Sequence, residues 1–235
     1  MTAPFQLHET FTFRWTDTQG EPRSLPYLCY LPPGFDTISE LPLLLFLHGA
    51  GERGTDLTPV AKHGPPKLIE QGESVPFVVI SPQCPQDQWW AMQENVRGLS
   101  QLIEQIVADY PIDPRRIYFT GMSMGGYGTW ALAATYPDLP AAIVPVCGGA
   151  NLETASSLKD IPAWAFHGRD DEVVPPVRSQ EIIEAIQEIG GDARITIYDN
   201  TGHDSWSTTY ANQDVYHWLL NQRRLTTPEI FHVDR

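Results

Sequence analysis

Few cysteines are present in the 235-residue sequence, and they are not arranged to bind one another or a metal. Cys29, Cys84 and Cys147 are odd in number, far apart, and form no C-x-x-C pair. This spacing argues against a disulfide framework and against a zinc site. A chain of this length buries enough apolar surface to fold without such cross-links.

Long apolar runs are also missing. The longest, LPLLLFL at 41–47, is too short to span a bilayer. The N-terminal segment MTAPFQLHETFTFRW alternates apolar and polar residues, and it has neither the basic n-region nor the apolar h-region of a signal peptide. We therefore expect a cytoplasmic protein without a membrane partner.

Positive charge is scarce as well. Lys and Arg number 15 against 29 Asp and Glu, which gives a net charge of −14 at pH 7. A surface of this sign repels phosphates and argues against nucleic acid as a partner, although it also fits a merely soluble surface. The sequence has no G-K-[ST] motif and no G-x-G-x-x-G with a downstream acid.

What the sequence does contain is a regular succession of strand-like and helix-like segments. HETFTFRW and SLPYLCYLP alternate with period two on either side of the turn DTQGEP, which predicts an antiparallel hairpin. Six later segments are almost continuously apolar, as in strands buried on both faces of a parallel sheet. They are PLLLFLH (42–48), FVVIS (77–81), RIYFT (116–120), AAIVPVC (141–147), AWAFH (163–167) and RITIYD (194–199).

Amphipathic segments separate these strands. NVRGLSQLIEQIVADY (95–110) and PPVRSQEIIEAIQEIGG (175–191) carry apolar residues at three- and four-residue steps, and STTYANQDVYHWLLNQ (207–222) is the predicted closing helix. This alternation predicts an α/β fold with a doubly wound, mostly parallel sheet and helices on both faces. Since no repeat or linker interrupts the pattern, we expect residues 1–235 to form a single domain.

The segment Gly121-Met122-Ser123-Met124-Gly125 matches G-x-S-x-G between a predicted strand and a predicted helix. That is the setting of a nucleophile elbow, in which a strained turn exposes the serine. Gly121 and Gly125 lack the Cβ atoms that would collide there, and the positive end of the helix favours an oxyanion beside Ser123. The alternative is a glycine-rich strand-to-helix connection of the nucleotide-binding kind.

A serine nucleophile needs a base, and the base needs an orienting acid. His203 lies in the turn after RITIYD, and Asp170 and Asp171 follow AWAFH, so all three follow predicted strands as a triad requires. Asp199, Asp204 and Glu172 are less well placed as the acid. The other histidines have different interpretations: bracing of strand ends for His48 and His167, a Pro-rich loop for His63, the closing helix for His217, and the termini for His8 and His232.

Together these residues resemble the α/β-hydrolase superfamily, and more narrowly its small bacterial esterases, which are labelled prolyl-oligopeptidase-like predicted peptidases or phospholipase/carboxylesterase-like hydrolases. The matching segments keep the family's order from Leu43 to Trp206. They are LLLFLHGAGERGTD, KHGPPKLIEQG, PFVVISPQCP, IDPRRIYFTGMSMGGYGTWALA, VPVCGGA, IPAWAFHGRDDEVVP and TGHDSW. The sequence departs from the family pattern at Leu139-Pro140, where relatives more often have an aromatic residue. This difference affects packing and not the chemistry of the site.

The resemblance implies roles for individual residues. Its pattern H-G-x-x-D-x-x-V-P puts the triad acid at Asp171 rather than Asp170, with Ser123 as nucleophile and His203 as base. It implies oxyanion-hole amides from Met124 and from the HGAG turn, most simply Ala50, with Gly51 as the nearest rival. It implies a serine hydrolase that needs no metal or cofactor.

We expect the substrate to be a small-molecule carboxylic ester of a short acyl or small aryl group, cleaved through an acyl-serine intermediate. Ester leaving groups need less acid assistance than amines, which favours esters over peptides. A serine peptidase acting on short peptides is the first alternative. A non-catalytic ligand-binding protein of the same fold is the second, and the intact Ser, Asp and His argue against it.

Four further residues are candidates for contact with the substrate. Trp89 and Trp90 lie in a loop at the predicted carboxyl edge of the sheet, where ligands bind in such folds, and they would form an apolar wall. Alternatively, at least one of them fills the core. Glu52 and Arg53 follow the HGAG turn and would reach a polar substrate, or they would pair with each other.

Overall fold

One eight-stranded sheet organises the protein in a computed structural model that describes residues 9–228. The strands are β1 (Glu9–Thr16), β2 (Pro22–Tyr30), β3 (Leu41–Leu47), β4 (Val78–Pro82), β5 (Ile112–Met122), β6 (Ala142–Val146), β7 (Ala163–Gly168) and β8 (Ala193–Tyr198). Their order in the sheet is β1-β2-β4-β3-β5-β6-β7-β8. Strand β2 pairs antiparallel with β1 and β4, and the other pairs are parallel. The predicted mostly parallel sheet with an N-terminal antiparallel hairpin is confirmed for these residues; His8, which the hairpin prediction included, lies outside them, as does His232.

Strand β3 shows why this sheet is covered on both sides. All seven of its residues are buried, and successive side chains of a strand point to opposite faces. Leu43 and Leu45 belong to one hydrophobic cluster, whereas Leu44 and Phe46 belong to another. A strand that is apolar on both faces is stable only where both are shielded from water, so β3 lies in the middle of the sheet.

Helices supply that shield. They are α1 (Gly64–Glu70), α2 (Gln93–Asp109), α3 (Met124–Thr135), α4 (Ala155–Leu158), α5 (Val177–Glu188), α6 (Trp206–Ala211) and α7 (Gln213–Leu220). Helices α2 to α5 contribute to the cluster on one face, and α1, α6 and α7 contribute to the cluster on the other. The prediction of helices on both faces is therefore confirmed. No helix within residues 9–228 is long and apolar enough to cross a membrane.

The predicted single closing helix over 207–222 is wrong in one respect, because α6 and α7 are separate helices. Asn212 between them has an extended backbone, with φ −83° and ψ 110°, and its side chain accepts a hydrogen bond from the backbone N–H of Asp214. An asparagine in this position caps the start of a new helix. His217 lies in α7, as predicted.

The parallel strands bring several loops to one edge of the sheet. Leu47 lies opposite Gly121 in the β3–β5 register, and Gly168 lies opposite Tyr198 in the β7–β8 register. The chain segments that follow these four residues therefore leave the sheet at the same edge. In open α/β sheets this carboxyl edge is where ligands bind.

Candidate active site

Ser123 occupies a strained turn between β5 and α3. Its φ of 54° and ψ of −116° lie in a region that a residue with a side chain rarely adopts. The backbone N–H of Ser123 donates to the carbonyl of Val146 at 2.9 Å, and its carbonyl accepts from the N–H of Tyr127 at 3.1 Å. The first bond ties Ser123 to the neighbouring strand β6, and the second ties it to the first turn of α3. Together they stabilise the strained conformation.

The two glycines of the motif are required by close packing of backbone. A Cβ atom on Gly121 would collide with the carbonyl group of Gly125, and a Cβ atom on Gly125 would collide with the carbonyl group of Leu47. Neither collision involves a flexible side chain that would move aside. Only glycine therefore allows the turn to lie this close to the end of β3.

His203 contacts the serine from the loop between β8 and α6. Its Nε2 lies 2.9 Å from Ser123 Oγ, and its Nδ1 lies 2.8 Å from Asp171 Oδ2. The imidazole ring packs edge-on against Trp206, with ring centroids 5.2 Å apart. In this arrangement Nδ1–H donates to Asp171, which leaves Nε2 free to accept the hydroxyl proton.

Asp171 is held by hydrogen bonds on both of its carboxylate oxygens. Oδ1 accepts from the backbone N–H groups of Val173 and Val174, both at 2.9 Å, and Oδ2 accepts from His203. Burial by itself would raise the pKa of Asp171, but the bonds from His203, Val174 and Val173 outweigh it and lower the pKa. The carboxylate is therefore ionised and fixed in orientation.

The competing acids have other places in the structure. Asp170 is exposed, Asp199 pairs with Arg169 on the surface, and Asp204 accepts hydrogen bonds from the backbone and hydroxyl of Ser207. Glu172 is exposed as well. Of the sequence candidates for the acid, Asp171 is the one whose carboxylate reaches His203.

A second histidine lies against the same carboxylate. His167 Nε2 lies 3.1 Å from Asp171 Oδ2 and 2.8 Å from the carbonyl oxygen of Val174. Since both neighbours are acceptors, Nε2 carries a proton and donates. Nδ1 lies 2.8 Å from Ser179 Oγ, and burial lowers the pKa of His167 despite these contacts. The sequence predicted that His167 supports the end of a strand. It did not indicate that His167 contacts Asp171, because that contact depends on the packing around β7.

The HGAG turn follows β3 directly beside the serine. Ala50 opens the short 3-10 helix Ala50–Glu52, and Met124 is the first residue of α3, where backbone N–H groups have no partner within the helix. His48 stabilises the turn with both ring nitrogens. Its Nδ1–H donates to the carbonyl of Gly49 at 2.6 Å, and its Nε2 accepts from the N–H of Cys84 at 3.0 Å.

The two tryptophans have different surroundings. Trp90 has no exposed surface; its Nε1–H donates to the carbonyl of His48 at 3.0 Å, and its ring packs edge-on against that histidine. Trp89 is 49% exposed, with the guanidinium of Arg53 lying 5.3 Å from its ring centre. Trp90 therefore fills the core, and of the two only Trp89 is placed to touch a ligand.

Glu52 and Arg53 do not pair with each other. Arg53 Nε donates to the carbonyl of Ala50 at 2.9 Å, and its NH1 group donates to that of Gln88 at 3.4 Å. Glu52 is buried and lies nearest to His63, with 3.9 Å between Oε1 and Nε2. Arg53 thus stabilises the turn through hydrogen bonds to backbone carbonyls, whereas the Glu52 carboxylate has no hydrogen bond from the described residues.

Within residues 9–228, one group of three side chains has metal-binding atoms close together. These atoms, from Cys147, Asp171 and His203, lie within 4.8 Å of one another. Burial raises the pKa of the Cys147 thiol to about 12, so the thiolate that a metal requires is disfavoured. Asp171 and His203 are also hydrogen-bonded to each other, and the geometry therefore fits the hydrogen-bonded chain better than a metal centre.

The strand order, the strained turn at Ser123 and the contact between Ser123 and His203 are those of an α/β-hydrolase. A crystal structure of a thermostable esterase has the same fold, with a TM-score of 0.78 and 34% sequence identity over 92% of this chain and 63% of that one. The phospholipase/carboxylesterase family model matches residues 75–219. The chain belongs to this family.

Curated relatives are longer than this chain. A poly(3-hydroxyalkanoate) depolymerase C from Paucimonas lemoignei is 25% identical over 226 residues, which cover 77% of this chain and 52% of the depolymerase. A bifunctional acetylxylan esterase/xylanase from Neocallimastix patriciarum is 32% identical over 137 residues, covering 57% of this chain and 20% of that protein. The chain thus spans about half the length of the first relative and a fifth of the second.

Proposed function

We propose that the chain is a serine hydrolase that cleaves carboxylic esters of short acyl or small aryl groups through an acyl-Ser123 intermediate. The observation that carries the proposal is the continuous hydrogen-bonded chain from Ser123 Oγ through His203 to Asp171. Membership of the phospholipase/carboxylesterase family supports an ester as the substrate. The bifunctional relative from Neocallimastix patriciarum includes an acetylxylan esterase, whose reaction also concerns an ester bond.

In the proposed reaction, Ser123 Oγ attacks the ester carbonyl carbon while His203 Nε2 takes the hydroxyl proton. The carbonyl oxygen becomes an oxyanion, which the backbone N–H groups of Ala50 and Met124 stabilise. Collapse of this intermediate breaks the bond to the alcohol, which leaves with the proton from His203. Water, deprotonated by His203, then attacks the acyl-serine and releases the carboxylic acid. Asp171 keeps Nδ1 protonated throughout.

A cavity of about 470 Å³ lies along α3. Its lining includes Tyr127, one helical turn after Ser123, together with Trp130 and several alanines, but not Ser123 or His203. Its volume is within the range typical of small-molecule sites. The single sheet of the described residues, whose strands run from Glu9 to Tyr198, supports the prediction of a single domain.

Hydrolysis of p-nitrophenyl acetate by the Ser123→Ala variant tests the proposal. Loss of the nucleophile is expected to lower kcat by about 10⁶, as in serine proteases, and to abolish labelling by a fluorophosphonate. Ser207→Ala, four residues from His203, is the matched control and should keep both properties. More than a few per cent of wild-type activity in folded Ser123→Ala would refute the role of Ser123.

A parallel assay on amino-acid p-nitroanilides separates esterase from peptidase. The proposal expects turnover of the ester and little of the anilide, because an amine leaving group needs stronger protonation. Comparable kcat/KM on both would favour the peptidase alternative. Absence of fluorophosphonate labelling in the wild type would favour a non-catalytic binding protein.

A further inference from the structure

Glu52 is a largely buried residue whose carboxylate has no hydrogen-bonded partner among residues 9–228. The residue is 6% exposed, and within the described chain no side-chain or backbone group donates a hydrogen bond to either of its carboxylate oxygens. The Nε2 atom of His63 lies 3.9 Å from Oε1, which is too far for a hydrogen bond. The carboxylate oxygens are not among the fully buried side-chain atoms without a partner, so they still contact solvent, and a ligand can reach them from there.

The carboxylate lies against the HGAG turn. A Cβ atom added to Gly49 would lie 3.2 Å from Glu52 Oε2 and 3.6 Å from the terminal methyl of Met122, the residue before Ser123. Glu52 is thus close to the backbone that carries Ala50 and close to the nucleophile turn. Arg53 does not neutralise it, because its guanidinium is bound to backbone carbonyls and lies over Trp89.

A row of aromatic rings links this carboxylate to His203. His63 packs edge-on against Trp206, with ring centroids 5.5 Å apart, and Trp206 packs edge-on against His203 at 5.2 Å. In the proposed reaction His203 gives its proton to the departing alcohol. Glu52 and His63 are thus connected through Trp206 to the histidine that would protonate the departing alcohol.

The two side chains together match hydroxyl groups. Burial lowers the pKa of His63, against the opposing attraction of Glu52, so the imidazole is neutral near pH 7 and offers one N–H donor and one acceptor. The carboxylate offers acceptors only. A hydroxyl donates to a carboxylate and accepts from an imidazole N–H, so a pair of neighbouring hydroxyls satisfies both side chains at once.

We propose that Glu52 and His63 form a subsite for hydroxyl groups of the leaving alcohol, so that the preferred substrates are esters of polyols such as sugars. This inference rests on the proposed esterase function. Glu52 has a cost in the same reaction, because a carboxylate near the proposed oxyanion hole repels the developing negative charge. With a simple alkyl ester nothing offsets that repulsion, whereas a hydroxylated alcohol gains hydrogen bonds to the carboxylate.

Two acetates with the same number of carbon atoms in the alcohol test this inference. Glycerol 1-monoacetate carries two hydroxyls that propyl acetate lacks, and the quantity measured is the ratio of their kcat/KM values. We expect the wild type to favour the glycerol ester. Glu52→Gln should lower the ratio about tenfold to a hundredfold, the effect of losing a hydrogen bond to a charged group, and should raise kcat/KM for propyl acetate.

Glu172→Gln is the matched control, since it removes one exposed negative charge beside Asp171 and should keep the wild-type ratio. A wild type without preference for the glycerol ester would overturn the proposal. Equal losses on both esters in Glu52→Gln would also overturn it and indicate a structural role. A stronger preference for acetylcholine that is lost in Glu52→Gln would overturn the proposal and indicate a site for cations instead.

A binding measurement tests the subsite independently of catalysis. Saturation-transfer NMR with methyl β-xyloside should show binding to the wild type and much weaker binding to Glu52→Gln and to His63→Gln. Equal or absent binding in wild type and variants would contradict the inference even if the chain hydrolysed no ester. Failure of the proposed function is recognised separately, by absence of p-nitrophenyl acetate hydrolysis in the wild type.

Discussion

The same local pattern occurs directly after β3 and at the end of β7: His-Gly, with an acidic residue at the fourth position after the histidine. In the loop after β7, His167 donates to Asp171, and the carboxylate is bonded on both oxygens. In the loop after β3, the ring of His48 is bonded to backbone groups of Gly49 and Cys84 instead. Glu52 is left without a hydrogen bond from the described residues. An acid four residues after a histidine therefore does not by itself establish a pair.

The difference arises from the neighbouring strands. Strand β3 lies between β4 and β5, and the chain leaving β4 brings the N–H of Cys84 to His48 and the buried ring of Trp90 against it. Strand β7 lies beside β8, whose following loop brings His203 to Asp171. Glu52 therefore has no hydrogen-bonded partner among the described residues, whereas Asp171 is hydrogen-bonded to His203, the proposed base.

Between the two loops, the largest effect is expected from replacing Asp171, the proposed acid. Asp171→Asn should lower kcat on p-nitrophenyl acetate by up to about 10⁴, because His203 then loses the acceptor that keeps Nδ1 protonated. Asp170→Asn, one residue earlier and exposed, should stay close to wild type in the same assay. A larger loss in Asp170→Asn than in Asp171→Asn would reverse the assignment of the acid and remove the contrast between the loops.

The support of the β3 loop is tested through Trp90. Trp90→Ala removes a fully buried ring that donates to the carbonyl of His48 and should lower the free energy of unfolding by about 3–5 kcal/mol in urea titrations. Trp89→Ala, at a half-exposed neighbour, should cost less than about 1 kcal/mol. Similar costs for both would show that the β3 loop does not depend on this buried ring.

The smallest effect expected is a pH dependence of stability that originates in His48. Burial lowers its pKa from 6.5 to about 4 in the folded protein. The unfolded chain therefore takes up a proton at a higher pH than the folded chain, so stability falls as the pH decreases from about 6.5 to about 4. The contribution reaches about 3 kcal/mol at the lower end.

His48→Gln isolates that contribution, because its amide oxygen takes the place of Nε2 and still accepts from the N–H of Cys84 but does not titrate. We expect this variant to be less stable at pH 7 and to lose less further stability between pH 6.5 and pH 4, as measured by urea unfolding at each pH. An unchanged slope in the variant would assign the acid sensitivity to other groups, including His167, whose pKa burial also lowers.

Much of the fold could be predicted because the signals are local. The six apolar segments correspond to β3 to β8 with shifts of a few residues at their ends, since a strand buried on both faces must be apolar throughout. The same locality explains the error at the closing helix. Apolar periodicity continues through Asn212, but its side-chain hydrogen bond to the N–H of Asp214 starts a new helix there.

The sequence by itself determined the elements and the serine turn, where Gly121 and Gly125 meet backbone that only glycine tolerates. Only the tertiary structure decided which side chains meet. Ser123 and His203 are 80 residues apart, and their contact depends on which strands are neighbours in the sheet. The same holds for Trp90, which is buried although its neighbour is not, and for Glu52, which lies near His63 rather than pairing with Arg53. Local patterns act over a few residues, whereas these contacts are set by the packing of whole strands and loops against one another.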